Sequence, residues 1–212
     1  MKRLAPAGLV LVLLAASALP ARADRFAVSL TSGIFIPSMR DFRQIYGSPI
    51  PLAVTASWTM ASGLGFSLGV EYFNKSGRTI GGDETLPLRF RMWTVPVSVG
   101  YERDRGWIRY AAGLGLSFNS YKETWQVPGL ESLTAASRRA GCLAVLSVEF
   151  PFASRFAARA GIRYMTLSTN TKTCQGRIIN LGGTSLQIGV SYSFAAGDAA
   201  GVADSRRRSH ER

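Results

Sequence analysis

Large apolar residues recur at every second position through much of this chain. In "LGFSLGVEY", Leu64, Phe66, Leu68, Val70 and Tyr72 share one face, while Gly65, Ser67, Gly69 and Glu71 take the other. "WIRYAAGLGLSF" sets Ile108, Tyr110, Ala112, Leu114, Leu116 and Phe118 against Arg109, Ala111, Gly113, Gly115 and Ser117. "FAARAGIRY" and "TSLQIGVSYSF" repeat the pattern, the second with Leu186, Ile188, Val190, Tyr192 and Phe194 on its apolar side. Successive side chains of an extended backbone point to opposite faces, so sustained alternation predicts strands. Eight segments qualify, at about 25–36, 52–60, 64–73, 88–101, 107–119, 142–152, 155–167 and 184–194.

The connections alternate in length. Residues 61–63, 102–106 and 153–154 are tight turns, whereas 37–51, 74–87, 120–141 and 168–183 are long and rich in Gly, Pro, Asn and charge. An even number of strands, joined by short turns at one end and long loops at the other, is the layout of a transmembrane barrel. Parity alone also admits a soluble barrel or sandwich. The residue types favour the membrane. Aromatics lie near the strand ends on the apolar face (Tyr72, Trp93, Tyr101, Trp107, Phe118, Tyr164, Tyr192, Phe194), as interfacial girdles do. The opposite face is small or charged, which suits the cramped interior of eight strands. The fold class expected is all-β, an eight-stranded antiparallel transmembrane barrel with short periplasmic turns and four long extracellular loops.

The two ends of the chain do not alternate. Lys2 and Arg3, the apolar run "LAPAGLVLVLLAASALP" and the small-x-small triplet Ala21-Arg22-Ala23 have the form of a cleaved export signal. The division expected is therefore 1–23 signal peptide, 24–194 barrel and 195–212 a disordered basic periplasmic tail. Removing Lys2, Arg3 and Arg22 from 25 basic residues leaves 22 against 13 acids, a net +9. That excess does not point to nucleic acid, because it is spread over loops and tail in an exported chain.

The segment Leu186–Phe194 resembles the final-strand signal of bacterial outer-membrane barrels, with a terminal Phe, an aromatic two residues earlier and aliphatics between. "GIFIPSMRDFRQIYG", Gly33 to Gly47, is similar to the first strand and loop of the small outer-membrane barrels called porin-like. The resemblance spans about 24–194 and implies residence in the outer membrane of a Gram-negative cell. It also implies that the barrel-assembly machinery reads Tyr192 and Phe194. One departure is the 18-residue continuation after Phe194, including Arg206-Arg207-Arg208.

Enzymes among such barrels rely on a histidine base to take a proton near neutral pH. The single histidine here is His210, in the tail. No catalytic residue, metal or cofactor is therefore expected. The charges on the small-residue face, Glu71, Arg109, Glu149, Arg159 and Arg163, are expected in the lumen. There they form either a salt-bridged plug or the lining of a narrow pore, because unpaired charge is costly in so confined a space. Cys142 and Cys174 are expected to pair in a disulfide at the outer end, the alternative being two free thiols. Phe42, Ile45 and Tyr46 lie at helical spacing, so "MRDFRQIYG" can form a helical turn that caps the mouth or enters it.

Eleven basic residues fall in 37–51, 74–91, 120–141 and 168–183: Arg40, Arg43, Lys75, Arg78, Arg89, Arg91, Lys122, Arg138, Arg139, Lys172 and Arg177. Five acids oppose them: Asp41, Asp83, Glu84, Glu123 and Glu131. The excess would face the phosphates of lipopolysaccharide, which forked guanidinium donors suit. The function expected is structural or interactional: membrane integrity, or lipopolysaccharide or ligand contact through the loops. A narrow channel for small solutes is the alternative.

Overall fold

A computed structural model describes residues 25–78, 86–126, 131–167 and 181–195. The expected signal peptide and residues 196–212 of the expected basic tail lie outside the described residues, as do Cys174 and His210, whereas Ala195 ends the last strand. Eight strands form one closed barrel in sequence order. They are β1 (Arg25–Pro37), β2 (Leu52–Thr59), β3 (Leu64–Arg78), β4 (Pro87–Asp104), β5 (Arg109–Trp125), β6 (Leu133–Pro151), β7 (Phe156–Thr166) and β8 (Gly183–Ala195). Every neighbouring pair is antiparallel, and β1 closes on β8 from Arg25↔Ala195 to Pro37↔Gly183. Closure leaves no unpaired edge, as a bilayer requires of spanning strands.

Tight turns join β2 to β3, β4 to β5 and β6 to β7 at the end that holds Arg25 and Ala195. Gly63 and Gly106 sit in two of these turns at φ 84° and 78°, a region that side chains with a Cβ rarely enter. The outward face carries the apolar rows read from the sequence. Leu114 and Ile188 are 72% and 71% exposed, the surface a bilayer would cover.

Four strands run further than expected. β3 continues to Arg78, β4 starts at Pro87, β5 reaches Trp125 and β6 starts at Leu133. Lys75, Arg78, Lys122, Arg138 and Arg139 therefore belong to strands rather than loops, while Arg89 and Arg91 lie in β4 as the expected strand at 88–101 had them. The physical reason is a change of phase. Along β4 the outward apolar set Val99, Val97, Val95 and Trp93 gives way to Arg91 and Arg89, while the inward set becomes Met92, Phe90 and Leu88. Along β5, outward Leu116 and Phe118 are followed by Ser120 and Lys122, and Tyr121 and Trp125 turn inward. The barrel is apolar outside near its short turns and apolar inside beyond its upper girdle. A search for one continuous apolar face ends where the phase reverses.

The segment after β1 enters the mouth. Helix α1 (Arg40–Tyr46) lodges Phe42 and Tyr46 in the interior, 4% and 3% exposed. The helix lies against Gly77 of β3, where an added Cβ would stand 2.5 Å from the Ile45 carbonyl oxygen. Phe42 meets Phe90 edge-on at 4.9 Å between ring centroids, and Phe90 stacks on Tyr121 at 5.8 Å. Phe35, Phe73, Leu143 and Met165 complete this apolar cap.

Candidate functional site: the barrel interior

All five charges assigned to the lumen point inward, in two groups. In the middle of the barrel Arg163 of β7 donates to Glu71 of β3 across the lumen. Gln187 of β8 donates to the same carboxylate oxygen at 2.9 Å. Both charged side chains are deeply buried, and each meets the other's need for a counter-charge. A hydroxyl and amide layer adjoins them: Thr94 donates to Asn119 at 2.8 Å, Asn119 donates to Ser117 at 3.0 Å, and the hydroxyls of Ser67 and Ser98 lie 2.6 Å apart.

The second group closes the short-turn end. Glu149 of β6 accepts from Arg159 of β7 at 3.3 Å and lies 3.8 Å from Arg109 of β5. Arg159 also reaches the hydroxyls of Ser29 and Ser147, each at 3.3 Å. The hub of the network is Arg25, which donates to both Glu149 and Glu102 and, through Nε, to Ser193 at 3.1 Å. Arg25 was not among the lumen residues expected from the sequence. Its parity was visible, because Arg25 shares a face with Ala27, Ser29 and Thr31. With Arg25, Glu102 and Asp104 included, four arginines face four carboxylates, and each of these arginines has a carboxylate partner.

Asp104 sits beside the β4–β5 turn, where Arg109 donates to it at 2.6 Å and the Gly106 amide donates at 2.6 Å. Partial burial acts to raise its carboxyl, but those hydrogen bonds and the charges of Arg109 and Arg25 outweigh it. The group is held below the ordinary carboxylate range. Between the charged residues a cavity of about 60 Å³ is lined by Ser57, Ser67, Ser98, Glu102, Arg109 and Arg159. That is room for a few waters.

At the long-loop end one carboxylate is buried in the aromatic cap. Glu123 is 3% exposed and accepts from the Tyr46 hydroxyl at 2.6 Å, which ties α1 to β5. Its other oxygen, the Tyr121 hydroxyl and the Trp125 indole N–H have no hydrogen-bond partner among the described residues. The sequence predicts a loop at Glu123, and its inward turn on β5 follows from the same phase reversal.

The two remaining sets of site residues lie outside the lumen. Tyr192 and Phe194 face outward at the closing seam, inside a band of aromatics that crosses four strands. Trp58 meets Phe26 at 5.3 Å, Phe26 stacks on Phe194 at 5.1 Å, Phe194 meets Tyr192 at 4.8 Å and Tyr192 meets Phe156 at 5.0 Å. Contrary to expectation, Cys142 does not open its strand but lies inside β6, outward, between Leu116 and Thr166. Cys142 is exposed, and its expected partner Cys174 is outside the described residues.

No protein-family profile matches the chain. No curated protein matches it either. Solved structures do. Neisserial surface protein A is 15% identical, with a TM-score of 0.56 over 81% of this chain and 98% of its own. A major outer membrane protein from Thermus thermophilus is 15% identical, with a TM-score of 0.55 over 80% and 99%. Ail, the attachment invasion locus protein of Yersinia pestis, is 9% identical, with a TM-score of 0.50 over 80% and 97%.

Proposed function

We propose that this chain, which has the fold of the small outer-membrane β-barrels, is a non-catalytic outer-membrane protein whose role is structural or lies at its surface. The observation that carries this reading is the filled lumen. Paired arginines and carboxylates occupy its lower and middle parts, and the aromatic cap with α1 occupies its mouth. Ions crossing it would have to separate buried charge pairs, at a cost of several kcal/mol for each ion left unpaired. Function is then exercised by the outward face and the loops. Catalysis is disfavoured because no histidine occurs between Met1 and Ser209, so the interior holds no base of that kind.

The test is electrical. Purified full-length protein in a planar bilayer should give no steady conductance steps. Stable single-channel currents would transfer the proposal to a narrow solute channel, with the arginines as its lining.

A further inference from the structure

We infer that the outward faces of β4, β5 and β6, just beyond the upper aromatic girdle, form a docking ridge for the phosphates of outer-leaflet lipid. Arg91 and Lys122 are direct cross-strand neighbours on this face. Arg89 lies two residues further along β4, and Arg138 of β6 is paired with Ser120, next to Lys122 along β5. All four side chains are exposed. The row immediately toward the bilayer is Trp93, whose ring lies 4.4 Å from that of Tyr72, with Phe118 on β5. The cations thus stand where an apolar belt ends and headgroups begin.

Three features separate this face from ordinary solvated charge. Neighbouring strands lie about 4.8 Å apart, so Arg91 and Lys122 repel each other when nothing lies between them. No aspartate or glutamate shares the outward face of β4, β5 or β6: Glu102, Asp104, Glu123 and Glu149 turn inward, and Glu131 precedes β6. Finally, among the described residues Arg89 donates to the neutral Asn74, at 3.2 Å, which orients its guanidinium without neutralising it. An acceptor with several anionic oxygens, held in the bilayer plane, meets all three conditions. Forked guanidinium donors match phosphate, and Lys122 adds a point charge. These cations gather part of the basic excess of the loop regions into a definite strip on strands. It rests on the outer-membrane placement proposed above.

The experiment binds fluorescent lipid A to full-length protein in neutral detergent micelles, with anisotropy as readout. Arg91→Gln with Lys122→Gln should weaken binding about thirtyfold, on the scale of about 1 kcal/mol per surface cation, and Arg138→Gln about fivefold more. Arg103→Gln with Arg105→Gln, two exposed cations at the short-turn end, should leave binding within about twofold. Wild-type binding should also weaken with added sodium chloride, as screening shortens the range of the charges. Lipid A stripped of phosphate should bind no better to wild type than to the ridge variant. Equal losses in the ridge and short-turn variants, or no preference for the phosphorylated lipid, overturns the ridge. Displacement by millimolar inorganic phosphate would assign the site to a free ion and equally overturn it. Insertion of the wild type into phosphatidylcholine vesicles is monitored alongside. Failure to insert counts against the membrane placement, whereas insertion without phosphate preference counts against the ridge alone.

Discussion

Glu149 holds more charge in place than any other lumen residue described, since Arg25, Arg109 and Arg159 all face it. Replacing it with Ala should destabilise the barrel by about 3 kcal/mol, because it strands guanidinium groups in a poorly hydrated space. Replacing Arg159 with Ala as well should recover part of the loss. Thermal unfolding in detergent measures both, and a Glu149→Ala protein that melts like wild type would show the network to be dispensable. At Cys142 the disulfide with Cys174 stays an expectation of the sequence reading. Denatured, unreduced protein should take up no thiol label if the bridge forms, and two labels per chain would exclude it. Because Cys142 faces outward within β6, a bridge would require Cys174 to reach the outer surface of the wall.

Helix α1 is the element that decides whether the mouth is open. It has only seven residues and no side-chain N-cap, so it owes its stability to burying Phe42 and Tyr46 and not to its own hydrogen bonds. Among the contacts that hold it are the Tyr46–Glu123 hydrogen bond and the close approach to Gly77. Gly77→Val should push the helix off β3 and expose 38–51 to protease while the barrel stays folded. Tyr46→Phe should cost about 1–3 kcal/mol, since it removes the hydrogen bond that a buried carboxylate accepts. Hydrogen exchange over 40–46 reads the effect directly, and unchanged protection in both variants would mean that the loop is held by other contacts.

For the whole molecule, the seam between β1 and β8 is where the barrel is completed. The aromatic band through Phe26, Phe194 and Tyr192 ties the first strand to the last. Tyr192→Ala with Phe194→Ala should therefore reduce the amount of protein recovered in the outer membrane several-fold, whereas deletion of 196–212 should not. Cell fractionation measures both. A tail deletion more damaging than the seam variant would mean that the last strand is not the assembly signal.

The period of two, the turn chemistry and the alternation of short and long connections were enough to read eight strands, their order and their outward faces. Each is local, depending on residues that are neighbours in sequence. The inward parity of Glu71, Arg109, Glu149, Arg159 and Arg163 was legible for the same reason. The partners were not. Arg163 meets Glu71 across the lumen, and Arg25 reaches Glu102 and Glu149 from the first strand, because closure brings together side chains that lie 77 to 124 residues apart. The extra length of β3–β6 was written in the chain as a phase reversal, at Met92–Trp93 and at Phe118–Tyr121. Its meaning depended on the tertiary fold, because the inward apolar residues of these extensions are the ones that pack with α1 in the mouth. The same fold sets Lys122 and Arg138, which the sequence placed in a loop, beside Arg91 and Arg89 on the barrel wall.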